Sequence, residues 1–523
     1  MKTNLRAVNK IPQIVALTLA LPGLLYAADI PRADSKVPAH VGYDQRLRPQ
    51  FHFTVPTGTV WDACGMVHYD GEWHMFTGWN HAVSTDLIHW THLARPVAPW
   101  PNVKYPDCPP HIPYSGSAVV DELNALGRQT GDVKTLFLMY TAHTVNPAGK
   151  FEYFQAASYS TDKGRTWTKV NGGKPVIDHI EGYDPEQRDP GIFYHPGTKS
   201  YIVILQIDGK DHAVRLFRSF DLINWQKICD IPNKSMECMN MFPVPLDGDP
   251  KNLKWVSSDG LSDYEVGDFD GTKWIGFEKG KRRRFDMGDC YYAAQVFNQV
   301  PGCRAVQVGC LQALTRHGPW SKYSPFREAG MPFDHQMSIP IEITLRTTPE
   351  GIRLYGNPVK EIALLYRKTD KFEGLTIKEA NTKLAGLNPE LIDMSMAFPS
   401  SKDLTLNVRG LKIEYDAKKK EIAFTNKDRV EGIKTFLLRL PEKERRPFTD
   451  TGRRAVPAPV VDGKVKLRVL VDRASLEYFV NDGQAAASFT VLPDPKNRSI
   501  SIAGESSQVI TALEVNELTS MWK

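Results

Sequence analysis

The chain has 523 residues, of which 41% are hydrophobic and 24% charged, and its formal net charge is +5. This composition excludes a disordered chain and a membrane bundle, and so small a charge over such a length argues against nucleic acid as a partner. The length is too great for one ordinary core and calls for two to four domains, or one large β domain with a smaller companion.

The chain opens with Lys2, Arg6 and Lys10, continues with an apolar stretch too short to span a bilayer comfortably, and reaches small residues around Ala27 and Ala28. That order predicts a secretory signal peptide over residues 1–28 and a secreted or periplasmic protein, the other reading being an uncleaved anchor. No later segment is apolar enough to cross a membrane, so no membrane span is expected after signal removal. Seven cysteines (Cys64, Cys108, Cys229, Cys238, Cys290, Cys303 and Cys310) permit up to three disulfides in an exported protein. None forms a CxxC pair, and "HYDGEWH" (68–74) is not a zinc-binding HExxH, so neither a metal nor a cofactor is expected. The basic run "KGKRRRF" (279–285) lacks interleaved aromatics and reads as a solvated loop.

Four stretches echo one another: "VSTDLIHW" (83–90), "YSTDKGRTW" (159–167), "RSFDLINW" (218–225) and "GDFDGTKW" (267–274). Each sets an Asp four or five residues before a Trp, and the repeats recur at roughly 45 to 75 residues, the range of propeller blades. Between them lie strand-like runs such as "WHMFTGW", "LFLMYTA" and "SYIVILQI". The Asp suits a tight turn whose backbone it hydrogen-bonds, and the Trp begins the next strand and packs between sheets. Four such units plus the stretch around 285–345 would close a ring, which predicts an all-β chain with a five-bladed β-propeller over residues 40–345. Beyond it, residues 350–523 alternate strand-like runs with Asn-Asp-Gly and Lys-rich turns, as in a β-sandwich. Helices are scarce, the clearest short candidate being 375–387.

Propellers bind ligands where the inner strands of successive blades converge. Asp62, Asp189 and Glu237 each lie just before or within an apolar strand, one per blade. Three acids on one axis repel one another, and a structural core gives no reason to keep them. Glycoside cleavage does: one ionised carboxylate attacks or stabilises the sugar cation while a protonated carboxyl serves the departing oxygen. Asp62 suits the ionised role. Glu237, amid Met236, Cys238, Met239, Met241 and Phe242, is expected in an apolar setting that keeps it protonated. Spacing alone leaves other roles open: a turn cap for Asp62, a local Arg188–Asp189 ion pair, and a solvated strand edge for Glu237. In the second half, Asp472 adjoins Arg473 and Glu477 alternates with apolar residues like a solvent-facing strand position, so this half is expected to support stability, not chemistry.

Taken together, these residues resemble glycoside hydrolase family 32, the invertases, inulinases and levanases. "VWDACGMVHYDGEWHMF" stands where the family has its opening Asp motif, Arg188-Asp189-Pro190 is its Arg-Asp-Pro, and Glu237-Cys238 its Glu-Cys. The match runs on in order through "YSGSAVVD" (114–121), "DMGDCYYAAQVF" (286–297) and "LRVLVDRASLEYFVNDG" (467–483). The resemblance implies a five-bladed propeller joined to a sandwich and retaining hydrolysis of β-fructosyl bonds in fructans or sucrose. Asp62 becomes the nucleophile, Glu237 the acid/base and Asp189 a stabiliser binding fructosyl hydroxyls, with Arg188 orienting that acid. Ser117 and Asp121 fall in the family's sugar-pocket motif, although Ser117 is equally a turn residue. Three departures bear on specificity: Trp61 replaces an Asn, Ala63-Cys64 replaces Pro-Asn, and only "TGWN" (77–80) stands where the family carries a longer loop. Trp79 either replaces the aromatic of that loop or packs in the core. Arabinofuranoside-directed propeller glycosidases, including inverting ones, and a non-catalytic sugar-binding protein are the competing functions.

Overall fold

The computed structural model describes residues 42–183, 186–207, 213–232, 237–278, 281–312 and 323–522. The expected signal peptide lies outside the described residues. Strand predominates throughout, and only two α-helices among these residues exceed four residues, Ile377–Leu384 and Lys427–Arg439.

Three successive four-stranded meanders open the chain: Ala63–Tyr69, Glu72–Thr77, Asn80–Ser84 and Thr91–Leu93; Ile112–Val120, Leu136–Val145, Phe151–Ser160 and Thr168–Lys169; Gly191–His195, Ser200–Gln206, Ala213–Ser219 and Gln226–Pro232. A fourth, led by Asn240–Leu246, joins Ile341–Thr348, Ala305–Leu311 and Tyr291–Val296 in one larger sheet through the parallel pairing of Leu246 with Leu345. The leading strands Ala63–Tyr69, Ile112–Val120, Gly191–His195, Asn240–Leu246 and Tyr291–Val296 lie side by side in that order, and the last returns against the first. They approach closely. A Cβ on Gly191 would sit 2.3 Å from the Met239 carbonyl oxygen, so no larger residue fits there.

Because each sheet is covered on both faces, its central strands are buried continuously and lose the in–out alternation of a half-exposed sheet. In Leu136–Val145, Leu136, Leu138 and Tyr140 pack toward Val67, Phe76 and Trp79 of the first sheet. Phe137 and Met139, on the opposite face, pack against Ile192, Tyr201 and Val203 of the third. The four Asp–Trp repeats are the turns between third and fourth strands. Asp86, Asp162, Asp221 and Asp270 each accept hydrogen bonds from backbone amides two to four residues ahead, at 2.7–3.0 Å. The indoles of Trp90, Trp167 and Trp225 donate back to the turn carbonyls of Leu87, Gly164 and Leu222, and all four tryptophans pack against buried clusters.

The expected boundary at residues 345–350 falls inside a hairpin, for Gly351–Pro358 pairs along its whole length with Ile341–Thr348. From Tyr366 a six-stranded and a five-stranded antiparallel sheet enclose a second apolar core that includes Met394, Phe398, Ile413, Val469 and Phe489. Ile377–Leu384 is the short helix expected at 375–387, closed by a capping box between Thr376 and Glu379. Lys427–Arg439 was not expected, yet the signals were present: Asn426 caps it, and Val430, Ile433 and Leu437 recur at helical spacing on its buried side. All seven cysteines are free thiols. Arg283 and Arg284 of the basic run are not simply solvated but pair with Glu278 and Asp263.

Glu477 is not the solvent-facing residue its alternation suggested. It is 1% exposed and Asp472 is fully buried, because the strand Ser475–Val480 is covered on both faces. Both carboxylates grip His52 of the amino-terminal segment: Asp472 lies 2.9 Å from Nδ1 and Glu477 2.6 Å from Nε2. Ser488 links Glu477 onward to buried Asp286, its hydroxyl lying 3.4 and 2.6 Å from the two carboxylates. Burial opposes the His52 charge, but Glu477 and Asp472 outweigh it and raise the imidazole to about 9. A raised histidine stabilises the fold fully below its unfolded value near 6.5 and loses that contribution as pH rises through about 9, a span worth about 3 kcal/mol. His52→Gln should therefore cost about 3–5 kcal/mol near neutral pH by leaving two buried carboxylates uncompensated. It should also flatten the fall in melting temperature between pH 6.5 and 9. Differential scanning calorimetry across that range checks both effects.

Candidate active site

Asp62 stands at the entry to Ala63–Tyr69, Asp189 just before Gly191–His195, and Glu237 just before Asn240–Leu246, the first, third and fourth of the leading strands. Asp189 takes a left-handed backbone, φ 58°, as does Cys238, φ 61°, a conformation uncommon outside glycine and frequent at functional sites. The Asp189 amide donates to Thr141 Oγ1 at 2.9 Å, and the Cys238 thiol lies 3.8 Å from Asp189 Oδ2 as a weak donor.

Arg188 binds the group together. Its Nε donates to Glu237 Oε2 at 2.9 Å, Nη2 donates to the same oxygen, and Nη1 donates to Glu186 Oε2 at 2.5 Å. Nε also lies 3.5 Å from Asp189 Oδ2. The expectation that Arg188 serves Asp189 is thus only part of its role, since its hydrogen bonds go to Glu237 and Glu186. Burial works against the guanidinium charge, but Glu237, Asp189 and Glu186 prevail and hold Arg188 above its ordinary value.

The setting of Glu237 also differs from the apolar one expected. Met239 and Met241 turn into one buried cluster and Phe242 into another, while Met236 lies outside the described residues. The carboxylate itself meets Arg188 on Oε2 and the Tyr292 hydroxyl, which donates to Oε1. The reason is positional: Glu237 precedes the strand, so the alternation that buries its neighbours does not govern it.

Asp62 accepts a hydrogen bond from Gln312 Nε2 at 2.8 Å on Oδ1 and a long one from Ser115 Oγ at 3.4 Å on Oδ2. Asp189 is 4% exposed, and burial first, then the charges of Glu237 and Asp62, push its carboxyl up to about 8 against the pull of Arg188. Burial and the charges of Asp62 and Asp189 likewise push the Cys64 thiol well up, so it stays protonated and is a poor rival nucleophile.

The remaining expected residues have structural partners. Ser117 is 5% exposed and its hydroxyl lies 3.5 Å from the Ile192 carbonyl oxygen. Asp121 is fully buried, accepting from the amides of Ala125 and Leu126, both at 2.8 Å, and from Tyr201 at 2.7 Å. Trp79, in the two-residue turn that replaces the longer loop, has φ 64° and is 3% exposed, edge-on to Tyr140 with centroids 5.4 Å apart. Ser115, Thr141, Tyr292 and Gln312 were missed. Ser115 stood inside the quoted "YSGSAVVD", but a register irregularity between Pro113 and Gly116 makes its orientation illegible from alternation.

Three carboxylates stand at the ends of leading strands, two of them held by the half-buried Arg188, and together they supply the group types that glycoside cleavage needs. The chain belongs to glycosyl hydrolases family 32: the family's N-terminal domain matches residues 52–358 and its C-terminal domain residues 361–518. A levanase of Bacillus subtilis is 31% identical over 98% of this chain and 76% of its own length. An extracellular exo-inulinase of Aspergillus niger is 25% identical over 92% of this chain and 96% of its own. The crystal structure of the exo-inulinase from Aspergillus awamori superposes with a TM-score of 0.73 at 22% identity, covering 92% of this chain and all of that one, a likeness of fold.

Because folded Asp189 retains its proton up to about 8, the folded chain binds more protons than the unfolded one from about pH 4 to 8, and stability should fall as pH rises through that window. Asp189→Asn removes this penalty. The variant should melt higher than wild type at pH 8 while losing roughly 10²-fold or more in turnover, measured by parallel thermal and kinetic titrations.

Proposed function

We propose that this chain is an exported, retaining β-fructosidase that removes terminal β-fructofuranosyl units from fructans or sucrose. The observation that carries the reading is the linked cluster of Asp62, Asp189 and Glu237 around Arg188, in a chain whose relatives include a levanase and an extracellular exo-inulinase. The five leading strands in cyclic contact support a five-bladed propeller, with a sandwich following from Tyr366. Export rests on residues 1–28 and on the relatives' description.

In this mechanism Asp62 attacks the anomeric carbon as the glycosidic C–O bond breaks, and Glu237 gives its proton to the departing oxygen. Water then attacks the fructosyl ester while Glu237 takes back a proton, releasing fructose and free Asp62. Asp189 accepts from fructosyl hydroxyls, and Arg188 holds Glu237 and Asp189 in place. Ser117, Asp121 and Trp79 act through the walls they stiffen.

Purified protein should release fructose from at least one of sucrose, inulin and levan and leave arabinan intact. Cleavage of arabinan alone would transfer the assignment to an arabinofuranoside-type enzyme. A slowly hydrolysed fructosyl analogue should leave an adduct that peptide mapping locates on Asp62; a label on Cys64, or wild-type rates from Asp62→Asn, contradicts the nucleophile. Glu237→Gln should lose roughly 10² to 10⁴ in turnover with substrate binding retained.

A further inference from the structure

Glu237 precedes the ladder that holds its blade together. Backbone pairing in the fourth sheet begins at Asn240, which faces Ser258. Between Glu237 and Asn240, Cys238 takes a left-handed backbone, φ 61°, so the chain turns sharply where the carboxylate is presented. On one side the turn is held by Gly260, whose amide donates to the Glu237 carbonyl oxygen at 2.8 Å. A Cβ on Gly260 would lie 3.0 Å from that oxygen and 3.3 Å from the Tyr292 ring, so the approach requires glycine. On the other side the tie is the half-buried side chain of Asn240.

Asn240 Nδ2 donates to the Cys238 and Ala294 carbonyl oxygens, both at 3.0 Å, and Oδ1 accepts from the Val296 amide at 3.3 Å. These three bonds fix the orientation of the amide: turned over, it would set its oxygen against two carbonyls and its nitrogen against an N–H. The two carbonyls flank the acid from different strands. Cys238 follows Glu237 directly, and Ala294 lies just beyond Tyr292, whose hydroxyl donates to Glu237 Oε1. The contacts close a ring that runs from Glu237 through Cys238, Asn240, Ala294 and Tyr292 back to the carboxylate. The strand Tyr291–Val296 is shaped for this ring. Its register slips between Tyr292 and Gln295, and Ala293 is left-handed, φ 49°, as in a β-bulge. A bulge leaves a residue out of the ladder and re-aims the side chain beside it. Here that side chain is Tyr292, and Ala294, outside the register pairs, gives its carbonyl to Asn240.

We propose that Asn240 is a positioning residue of the reaction: by joining Cys238 to Ala294 it keeps the Tyr292 hydroxyl on Glu237, and so fixes the direction in which Glu237 passes its proton to the departing oxygen. The inference rests on the β-fructosidase reading and adds to it what aims the acid. Arg188 holds Oε2 of Glu237 and Tyr292 holds Oε1, so loosening the strand that carries Tyr292 lets the carboxyl group swing about the guanidinium. A proton donor works only within hydrogen-bond reach of the oxygen it serves, and a misplacement of about 1 Å there can cost roughly 10²-fold in rate. Asn240 acts on this distance through the backbone on either side of the acid.

The test is the dependence of rate on the leaving group. A sugar oxygen departs as it takes the Glu237 proton, whereas 4-nitrophenolate leaves as a stable anion and needs little protonation. The quantity measured is kcat/KM on whichever of sucrose, inulin and levan the wild type cleaves best, divided by kcat/KM on 4-nitrophenyl β-D-fructofuranoside. This ratio should fall about tenfold in Asn240→Ala and in Asn240→Ser, whose side chain is too short to bridge both carbonyls. Tyr292→Phe should lower the same ratio, and adding Asn240→Ala to it should lower it less than twofold further, because the two act through one contact. Thermal melting selects folded variants, and Asn240→Ser keeps a small polar side chain should Asn240→Ala fold poorly. A merely structural residue would slow both substrates alike. A ratio within twofold of wild type in Asn240→Ser and in folded Asn240→Ala therefore overturns the proposal while leaving the β-fructosidase reading untouched, and so does a further tenfold loss in the double variant. A wild-type chain that cleaves none of the three natural substrates removes that reading, and the role of Asn240 with it.

Discussion

Arg188 is the contact on which the arrangement of the site turns. Three acids must come close for the chemistry, and acids in a poorly hydrated cleft repel one another and resist ionisation. A planar guanidinium has five donors in a fixed fork and can hold several carboxylates in defined directions, which a lysine could not do. Here one arm is spent on Glu186 at the rim, two nitrogens on Glu237, and the flank faces Asp189. Neighbouring residues in sequence, Arg188 and Asp189, thereby become parts of one device with Glu237, which is 49 positions away.

That device needs its strands to stay put, and the second half of the chain contributes to this. The backbone of 285–289, which leads into Tyr291–Val296 and so into Tyr292, is bonded to the sandwich strand Ala485–Thr490: Met287 donates to Ala486 and Asp289 to Ser488, while Ala486 returns a bond to Phe285. Tyr292 in turn donates to Glu237. A strand of the sandwich thus fixes the loop that presents a hydroxyl to Glu237, and the His52 clamp ties the amino-terminal segment to the same strands. A domain without an acid in the pocket can still set the geometry of the acids that are there.

The sequence read well where one local rule decides the outcome. Asp–Trp turns need only an acceptor near free amides and a ring to cover them, so all four repeats could be read correctly from eight or nine residues. The positions of Asp62, Asp189 and Glu237 before leading strands were legible for the same reason. What failed was whatever depends on a partner distant in the chain. Glu477 looked solvent-facing because alternation reports one covered face, whereas its strand is covered on both, and His52 lies 425 residues away. Glu237 looked apolar because its neighbours in sequence are, whereas its neighbours in space are Arg188 and Tyr292. The helix Lys427–Arg439 went unread although Asn426 and the spacing of Val430, Ile433 and Leu437 signal it, because a short stripe of this kind forms a helix mainly through tertiary burial.

The two buried polar clusters meet the same problem in opposite ways, and the difference bears on function. At His52 one protonated imidazole lies between two carboxylates at hydrogen-bond distance, with Ser488 and backbone amides taking up further lone pairs. That cluster is closed and serves stability. Around Arg188 a single guanidinium faces Glu237, Asp189 and Glu186, with Asp62 close enough to raise Asp189, so negative groups outnumber the cation and Asp189 keeps a proton. An uncompensated field of this kind costs stability in the resting protein. In the proposed reaction the missing positive charge arrives with the substrate, since the transition state for breaking a fructosyl bond resembles an oxocarbenium ion. A site short of one cation is complementary to that state and not to the neutral sugar, which is the condition for lowering a barrier instead of only binding a ligand.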